Sequence, residues 1–450
     1  MEADMKFVTE PQKQIPIVYE CDLAVVGGSC TGLFAAIRAA DLGLRVAVVE
    51  ASGRLGGVAG NGLVNIWHSL YDIYDKNVII AGLTAETVER MVKRGDATVM
   101  KSESSAIQFN PSVLCCELDT LAEEHKIKLF LHTYYASLII DGDSIDSILI
   151  ENKDGRGAIK ARFFIDATGD GDLCRDVGLE AYRRSTLQPP SSCFMLQASE
   201  NLKINALMRN HGEEFGLGED WGWGGSVPGL HGIRFRADFH TYGVDCSKAD
   251  DLTLAELDGR KKAHALTHLL QKYGSEDVRL VSLCSAVGIR ETAHYPTRFC
   301  ADEKNLLCGT TYADTVMRGS YRIDIHHSND GGITFKYLDG RMISNYGREN
   351  RREEGSWLGD YGLSEAPADH YEVPFGILVQ EKISNLIPAG RMLHADEGAF
   401  GALRVMVNLN QLGEAAGVAA YLAVNGDVAI TDVDGCEVRR LLIKGGSALD

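Results

Sequence analysis

Hydrophobic and polar positions near the start of the chain follow two periodicities in turn. A short β-prone apolar run at residues 23–26 precedes a glycine-rich turn, an alanine-rich segment with helical spacing, and a second apolar run at residues 45–49. This order predicts a strand, a helix and a second strand. It is typical of a βαβ unit, in which both strands belong to one parallel sheet.

The segment that follows predicts more helices and then an antiparallel meander. Amphipathic spacing indicates helices at residues 81–94 and 110–125, and Pro111 stands at a first helical position, where its missing N–H costs nothing. Three further apolar runs are separated by turns rich in Asp and Gly, at residues 136–141, 144–152 and 158–165. Runs of this length joined by such turns predict a three-stranded β-meander.

The pattern changes after residue 184 and returns after residue 370. Between these positions tryptophans and histidines cluster, the strand signals are irregular, and residues 254–272 have the spacing of a helix. Beyond them the apolar runs resume and end in a helix from about residue 401 to residue 424. We therefore expect a first domain in two parts with a second domain inserted between them. The predicted limits are 16–184 and 371–430 for the two parts, 185–370 for the insertion, and 1–15 and 431–450 for terminal extensions.

Length, charge and cysteine content narrow the class of protein. A chain of 450 residues exceeds one ordinary hydrophobic core, which agrees with two domains. Its 63 acidic and 45 basic residues give a formal charge of -18, which argues against nucleic acid or an anionic membrane as a partner. No apolar window is long enough to span a membrane and the first residues lack a signal-peptide pattern, so we expect a cytoplasmic location. The 11 scattered cysteines, without zinc-type spacing, predict neither a metal site nor a redox disulfide.

Candidate chemistry is first indicated at the end of the first strand. Gly27, Gly28 and Gly32 allow a tight turn where the helix begins, and the helix N-terminus offers N–H groups and a positive dipole end to a phosphate. Glu50 ends the second strand at the spacing at which an acid binds a ribose hydroxyl. Together these features predict a dinucleotide site. Ser29 departs from the pattern, because a glycine usually stands there, and we expect it to bind phosphate through its N–H and its hydroxyl.

Two later segments are also rich in glycine. Residues 53–62 contain five glycines, and residues 163–171 indicate a strand that runs into a glycine turn. Glycines this dense indicate a backbone pressed against a ligand, with a flexible loop as the alternative for the first segment. Since no second strand–glycine–helix fingerprint follows, we expect the chain to hold one dinucleotide.

Four motifs now stand in a defined order: GGSCTG with a later acid, GRLGG, FFIDATGDGD, and NLIPAGRMLHADEGAFGALRVMVNLNQLGEAAG. In this order they resemble the FAD-dependent oxidoreductases of the glutathione-reductase-like superfamily, and most closely the family related to the flavoprotein subunits of fumarate reductase and succinate dehydrogenase. The resemblance implies an α/β fold, with a Rossmann-like FAD-binding domain (a parallel sheet plus a β-meander) and an inserted, mixed α+β substrate domain. It also implies noncovalent FAD, because Arg54 and Leu55 stand where covalent relatives carry a histidine.

The resemblance assigns roles to individual residues. It implies Glu50 at the adenosine ribose, the GRLGG loop at the pyrophosphate and ribityl chain, and the ATG turn at the adenine side. Gly390, Arg391 and Asp396 would meet the ribityl and pyrophosphate groups, with a helix cap as the alternative for Asp396. A helix that begins near Ala402 would direct its N–H groups at the flavin, where the reduced ring carries negative charge. The expected FAD-binding residues are Gly27, Gly28, Ser29, Cys30, Thr31, Gly32, Glu50, Ala51, Arg54, Gly56, Gly57, Tyr135, Ala136, Ala167, Thr168, Gly169, Gly390, Asp396, Gly401 and Ala402.

One strand of the insertion is expected to carry groups for proton transfer. Residues 321–327 alternate apolar and polar side chains, which places Arg322, Asp324 and His326 on one face. Hydride transfer to or from a flavin requires an acid or a base for the accompanying proton. This face is therefore a candidate wall of the substrate site.

The catalytic candidates are ranked by chemistry. We place His326 first as the acid or base and Arg290 first as an anion clamp, with His68, after the glycine loop, as a further group near the flavin. A surface or core histidine is the alternative for His326. A structural ion pair with Glu291 is the alternative for Arg290.

We predict an oxidoreductase that transfers a hydride between a small organic substrate and FAD. Two alternatives stay open, namely a flavin-dependent monooxygenase or halogenase, and a flavin-binding subunit without turnover. Trp221 and Trp223 bear a faint likeness to a halogenase signature, with a pocket wall or an aromatic core as the other interpretation. We expect a small-molecule substrate as partner, with neither nucleic acid nor membrane, and with homo-oligomerisation left open.

Overall fold

Strands and helices alternate through the chain in the computed structural model, which describes residues 6–100, 105–217, 222–327, 331–346 and 351–450. The strands are β1 (Ile17–Val26), β2 (Val46–Val49), β3 (Ile66–Trp67), β4 (Ala97–Val99), β5 (Ile107–Phe109), β6 (Lys128–Phe130), β7 (Tyr134–Asp141), β8 (Ser144–Asn152), β9 (Gly155–Asp166), β10 (Ser191–Gln197), β11 (Trp223–Val227), β12 (Leu230–His240), β13 (Arg279–Leu283), β14 (Thr315–Gly319), β15 (Ile323–His326), β16 (Gly332–Lys336), β17 (Arg341–Tyr346), β18 (Arg351–Ser356), β19 (Tyr371–Pro374) and β20 (Leu386–Pro388). The helices are α1 (Cys30–Asp41), α2 (Gly82–Arg94), α3 (Pro111–Glu124), α4 (Asp172–Asp176), α5 (Ile204–His211), α6 (Ala249–Tyr273), α7 (Glu303–Leu307), α8 (Glu397–Leu403), α9 (Met406–Gly426) and α10 (Gly435–Lys444). Within the described ranges, every helix falls short of the length and apolar character that crossing a membrane requires.

The central sheet joins the two ends of the chain. Its strand order is β6-β2-β1-β9-β8-β7, with β20 paired to β9. β1 lies parallel to β2 and to β9, and β20 also lies parallel to β9, so residues 386–388 return to the sheet that residues 17–26 began. β7, β8 and β9 form an antiparallel meander. The predicted α/β fold with a Rossmann-like parallel sheet and a meander is confirmed.

The central sheet separates two hydrophobic cores. Val25 belongs to the core that contains α1 and α9, whereas its neighbours Ala24 and Val26 belong to the core on the opposite face. Successive residues of a strand point to opposite faces, which explains the alternation. Burying one valine side chain contributes about 1.5–3 kcal/mol to the free energy of folding. Because side chains on both faces of the sheet are buried, the strand ends at which a ligand would bind are stabilised.

α1 and α9 pack so closely that the contact requires glycine. A Cβ on Gly413 would lie 2.1 Å from the carbonyl oxygen of Thr31, and a Cβ on Gly417 would lie 2.1 Å from that of Ala35. The contacts advance in the same direction along both helices. The two helices are therefore parallel, and their N-termini lie at the same end of the central sheet.

The predicted helix over residues 401–424 is wrong in its bounds, because two helices occupy this region. α8 ends at Leu403, and α9 begins at Met406. Between them Val405 is extended, with φ -67° and ψ 145°, and it serves as the N-cap residue of α9. The long helix of this region therefore begins beyond Ala402, at the end of the sheet where α1 also begins.

Smaller antiparallel sheets come from the middle of the chain. Their strand orders are β11-β12-β10-β13, β15-β16-β17-β18, β14-β19 and β3-β5-β4. In the register of β15 with β16, Asp324 lies opposite Phe335 and His326 lies opposite Ile333, so the two acid–base candidates share one face as predicted. The domain limits 16–184, 185–370 and 371–430 stay a prediction.

Candidate functional site

A cavity of about 370 Å³ opens where α1 and α9 begin. The sequence-predicted residues that line it are Gly27, Ser29, Cys30, Thr31, Glu50, Gly56, Gly57, His68, Ala167, Thr168, Gly169, Arg290, Gly390 and Arg391. These residues come from both ends of the chain and from the predicted insertion. The fold therefore brings the predicted glycine segments to one place.

One end of the cavity is a glycine cradle, formed by residues 27–32, 56–57 and 167–169. Gly27 has a φ of +108°, and a Cβ there would lie 2.2 Å from the carbonyl oxygen of Ala167. A Cβ on Gly32 would lie 2.0 Å from the carbonyl oxygen of Gly27. The turn is pressed against β9 and against itself, so larger residues are excluded by contact with backbone as well as by conformation.

Ser29 is accommodated in the cradle as a helix cap. Its φ of -64° is an ordinary value for a residue with a Cβ, and its Oγ accepts a hydrogen bond from the N–H of Gly32 at 3.3 Å. Across the cradle, a Cβ on Gly57 would lie 2.8 Å from the Cβ of Ser29, so glycine at 57 provides the space that serine at 29 occupies. The predicted contact of Ser29 with phosphate stays a prediction.

Two helix N-termini face the cavity. Cys30 and Thr31 at the start of α1, and Val405 and Met406 at the start of α9, line it. The first N–H groups of an α-helix have no partner within the helix, and α9 has no side-chain cap. Because both helix dipoles present their positive ends here, the cavity favours anionic groups such as a pyrophosphate.

The carboxylate of Glu50 is fixed at the cavity wall by backbone donors. Its Oε2 accepts from the N–H of Gly28 at 2.7 Å, and its Oε1 accepts from the N–H of Ser52 at 2.7 Å. Such bonds orient the acid at the carboxyl end of β2. Its place suits the acid that binds a ribose hydroxyl in dinucleotide folds.

Several residues predicted to bind FAD lie away from the cavity lining. Tyr135 donates its hydroxyl to Asp176 at 2.8 Å, and Asp396 caps α8 by accepting from the N–H of Ala399 at 2.7 Å, which was the alternative interpretation of this acid. A Cβ on Gly401 would lie 2.8 Å from the backbone oxygen of Asp324, so this glycine permits the contact of α8 with β15. The residues that the structure does not place in the lining are Gly28, Gly32, Ala51, Arg54, Tyr135, Ala136, Asp396, Gly401 and Ala402.

Three polar side chains, His68, Arg290 and Arg404, also line the cavity, and we call them the polar wall. Arg290 donates to the carbonyl oxygen of Pro189 at 2.8 Å and to the hydroxyl of Ser191 at 3.0 Å. These two bonds tie its guanidinium to the segment that leads into β10. The wall therefore places two guanidinium groups and an imidazole beside one space.

Glu291, considered above as the ion-pair partner of Arg290, has other partners. It pairs with Arg184 and with His294, whose Nε2 lies 3.0 Å from its Oε1. It also accepts from the N–H of Gln188 at 2.9 Å. These bonds place its carboxylate in a buried hydrogen-bond network. Among the described residues, Glu291 is not one of those that line the cavity.

His68 presents a neutral ring to the cavity. Its imidazole stacks on the ring of Tyr321 with a centroid distance of 3.9 Å. Burial, reinforced by the charge of Arg322, lowers the pKa of His68 to about 3. Its imidazole is therefore uncharged at neutral pH. In this form one ring nitrogen can accept a hydrogen bond and the other can donate its N–H.

His326 lies behind the wall rather than in it. Its Nε2 is 3.3 Å from Oδ1 of Asp324, and its Nδ1 is 3.1 Å from Nε2 of His240. The ring is buried, and burial, followed by the charge of Arg290, lowers the pKa of His326 well below its ordinary value. Its role as acid or base stays a prediction, and any action on a substrate would pass through its neighbours.

Sequence reasoning missed Arg404 and Asn61 in the cavity lining. Arg404 stands within the last motif, and recognition of the break between α8 and α9 would have drawn attention to it. Asn61 joins the glycine loop to the middle of the chain, because its Oδ1 accepts from the hydroxyl of Ser285 at 3.0 Å. No local pattern signals this contact.

Cys30 and Trp223 are packed among other residues. Burial raises the pKa of the Cys30 thiol to about 12, so the one cysteine that lines the cavity carries no thiolate at neutral pH. Trp221 lies outside the described residues. Trp223 packs edge-on against Phe235 at 5.1 Å within a hydrophobic cluster, which supports the aromatic-core interpretation of this tryptophan.

Comparison with known proteins agrees with the geometry of the cradle. A family model described as FAD dependent oxidoreductase matches residues 22–442. The mitochondrial dihydrolipoyl dehydrogenase of Schizosaccharomyces pombe is 31% identical over an alignment of 165 residues that covers 33% of this chain. The match spans only 28% of the length of that enzyme.

Solved structures offer distant likenesses. A geranylgeranyl bacteriochlorophyll reductase-like protein from Thermoplasma acidophilum is 10% identical, with a TM-score of 0.46 and coverage of 95% of this chain and 82% of that one. The p-nitrophenol 4-monooxygenase of Pseudomonas putida is 10% identical, with a TM-score of 0.45 and coverage of 96% and 87%. At these TM-scores the likenesses support no conclusion about function.

Proposed function

Because the chain belongs to the FAD-dependent oxidoreductase family, we propose that it transfers a hydride between a small organic substrate and noncovalently bound FAD. FAD as cofactor and oxidoreduction as activity follow from the family. The observation that carries the finer proposal is that two helix N-termini and the fixed carboxylate of Glu50 surround the same cavity as the polar wall. One cavity thus combines a nucleotide-type cradle with groups suited to a substrate.

The cradle supplies the residues that would hold FAD. The N–H groups of Cys30 and Thr31 would bind the pyrophosphate, and Glu50 would bind the ribose of the adenosine. The N-terminus of α9 would stabilise negative charge on the flavin. When bound, FAD supplies the ring that accepts or donates the hydride.

The polar wall supplies the groups for the substrate. Arg290 would bind an anionic group of the substrate, because its guanidinium lies at the wall and is oriented by two bonds to its own domain. His68 would hydrogen-bond the substrate, because its imidazole is neutral and lines the same cavity. His326 would support this wall from behind, through Asp324.

A closer kinship within the family is part of the proposal. The order of the four motifs supports a relation to the flavoprotein subunits of fumarate reductase and succinate dehydrogenase, within the glutathione-reductase-like superfamily. Reduction of a carbon–carbon double bond and oxidation of an alcohol or amine carbon both agree with this wall. A flavin-dependent monooxygenase or halogenase is the competing function.

Flavin chemistry provides the test. We expect the purified protein to be yellow and to release FAD on denaturation, and a compound panel mixed in without oxygen to contain substrates that bleach the flavin. Slow reoxidation in air would support a dehydrogenase or reductase, whereas rapid reoxidation with oxygenated product would replace it by the monooxygenase. A colourless protein that cannot be reconstituted with FAD would contradict the proposal.

The anion clamp is tested with a matched pair of variants. Arg290→Met should raise KM for an anionic substrate about 10- to 100-fold, the range that corresponds to the loss of a charged hydrogen bond. Arg298→Met removes an exposed arginine that pairs with Glu381, and it should leave KM unchanged. Equal KM values in both variants would remove Arg290 from the substrate site.

A further inference from the structure

Asp324 joins several buried polar groups behind the polar wall. Its Oδ2 accepts the hydroxyl of Tyr321 at 2.6 Å, and its Oδ1 lies 3.3 Å from Nε2 of His326. Its Oδ1 also lies 3.3 Å from a terminal nitrogen of Arg404. Asp324 is 6% exposed, so these contacts are formed largely away from water.

Arg404 connects this carboxylate with the cavity. It occupies the break between α8 and α9, immediately before the N-terminus that faces the cavity, and it is part of the cavity lining. Its side chain is 12% exposed. A charged group placed there acts on the cavity through a medium that screens it far less than bulk water does.

The charge of Asp324 is balanced by the guanidinium of Arg404 rather than by a histidine. Burial holds His326 in its neutral form, and His326 uses its other nitrogen on His240. Tyr321 donates a hydrogen bond but carries no charge, because burial raises the pKa of its hydroxyl above the ordinary value. The pair of Asp324 with Arg404 therefore adds a negative and a positive charge that offset each other at the cavity.

The backbone is shaped to keep this pair together. The N–H and the carbonyl oxygen of Asp324 would lie 3.0 Å and 2.8 Å from a Cβ on Gly401, so β15 contacts α8 where the helix has no side chain. The next turn of chain carries Arg404. The contact thus sets the separation between the carboxylate and the guanidinium.

We propose that Asp324 is a positioning residue, which orients Arg404 at the cavity and offsets its charge, and so sets the reduction potential of the bound flavin. The inference rests on the proposed function, because it assumes FAD in this cavity. A net positive charge beside a flavin favours the reduced form, which is more negative than the oxidised form. Without the carboxylate, the charge of Arg404 acts unopposed.

A double-mutant cycle on the FAD-loaded protein tests the proposal. Asp324→Asn should raise the midpoint potential of the flavin, Arg404→Gln should lower it, and the double variant should return it close to the wild-type value. The expected rise in potential corresponds to a preference for reduced over oxidised FAD that is about tenfold stronger than in the wild type. Asp146→Asn is the charge-matched control, because Asp146 on β8 pairs with Lys160 on β9 and both side chains are partly exposed. The midpoint potential of the flavin should not change in this variant.

The outcomes separate this proposal from the proposed function. FAD content and the visible spectrum of the wild type are measured first, and a protein that binds no FAD contradicts the function itself. With FAD bound, a double variant that keeps the raised potential of Asp324→Asn, or equal shifts in Asp324→Asn and Asp146→Asn, overturns the positioning role. If Asp324→Asn does not fold, an unchanged potential in Arg404→Gln overturns it as well.

Discussion

The glycine cradle and the polar wall line one cavity, but they are built in different ways. Backbone atoms form the surface of the cradle, since Gly27, Gly32 and Gly57 fit where any side chain would collide with neighbouring atoms. Side chains form the surface of the wall, since Arg290, His68 and Arg404 line one cavity from three separate parts of the chain. The cradle is therefore fixed by local geometry, and the polar wall by packing between segments that are distant in sequence.

The largest expected effect tests the rigidity of the cradle. Gly27→Ala should lower the free energy of unfolding by about 2–5 kcal/mol, because it combines a strained φ of +108° with a collision 2.2 Å from a backbone oxygen. It should also abolish FAD binding. Thermal melting and the flavin content of the purified protein measure both effects.

Gly43→Ala is the control for this change. Gly43 has nearly the same conformation, with a φ of +110°, but a Cβ there meets nothing within 4 Å. Gly43→Ala should lower the free energy of unfolding only by the conformational cost, about 1 kcal/mol, and the variant should retain FAD. If both variants behaved alike, close contact would not be the reason for glycine in the cradle.

An intermediate effect tests the dry environment of the wall. The pKa of His68 is about 3 in the folded protein, below the unfolded value of 6.5, so its contribution to stability is present above pH 6.5 and is lost as the pH falls towards 3. Between pH 7 and pH 5 this loss is about 2 kcal/mol. His68→Gln should therefore flatten the dependence of unfolding free energy on pH, as measured by denaturant titration at each pH.

An exposed histidine serves for comparison. His264 lies on the surface of α6, and His264→Gln should leave the slope of that pH dependence unchanged. An unaltered slope in His68→Gln would show that water reaches this ring, and that the wall is not a dry surface.

The smallest effect concerns the one serine of the cradle. Ser29→Gly should retain FAD and cost a few tenths of a kcal/mol, because glycine is also accepted at an N-cap. Ser29→Ala, which keeps the Cβ but loses the hydroxyl that accepts from Gly32, should cost about 1 kcal/mol. Loss of FAD from Ser29→Gly would mean that the hydroxyl itself is a required cofactor contact.

Much of the cradle was predictable because its signal is local. A strand, a glycine turn, a helix and an acid follow each other within residues 23–50, and each element constrains the next. The meander and the return of the chain to the central sheet were likewise visible in apolar runs. Tyr135 and Ala136 were expected at the cofactor, and this stays a prediction, while the hydroxyl of Tyr135 donates to Asp176.

The wall was only partly predictable because its geometry depends on contacts between distant segments. Alternation placed Asp324 and His326 on one face, but it gave no sign that His326 would face His240. The apolar spacing of residues 401–424 hid the break at Val405, and with it the role of Arg404. The position of a break in a buried helical segment can be predicted only when the tertiary packing around it is known.

The contact of α1 with α9 also determines when during synthesis the protein can become complete. Thr31 packs against Gly413, so the surface of α1 that contacts α9 remains uncovered until residue 413 has been synthesised. At ordinary rates of elongation this interval lasts roughly 20 to 80 seconds. Contacts so distant in sequence also slow folding, because a long loop must close before they form. The contact between α1 and α9 is therefore expected to form late, after both helices have been synthesised.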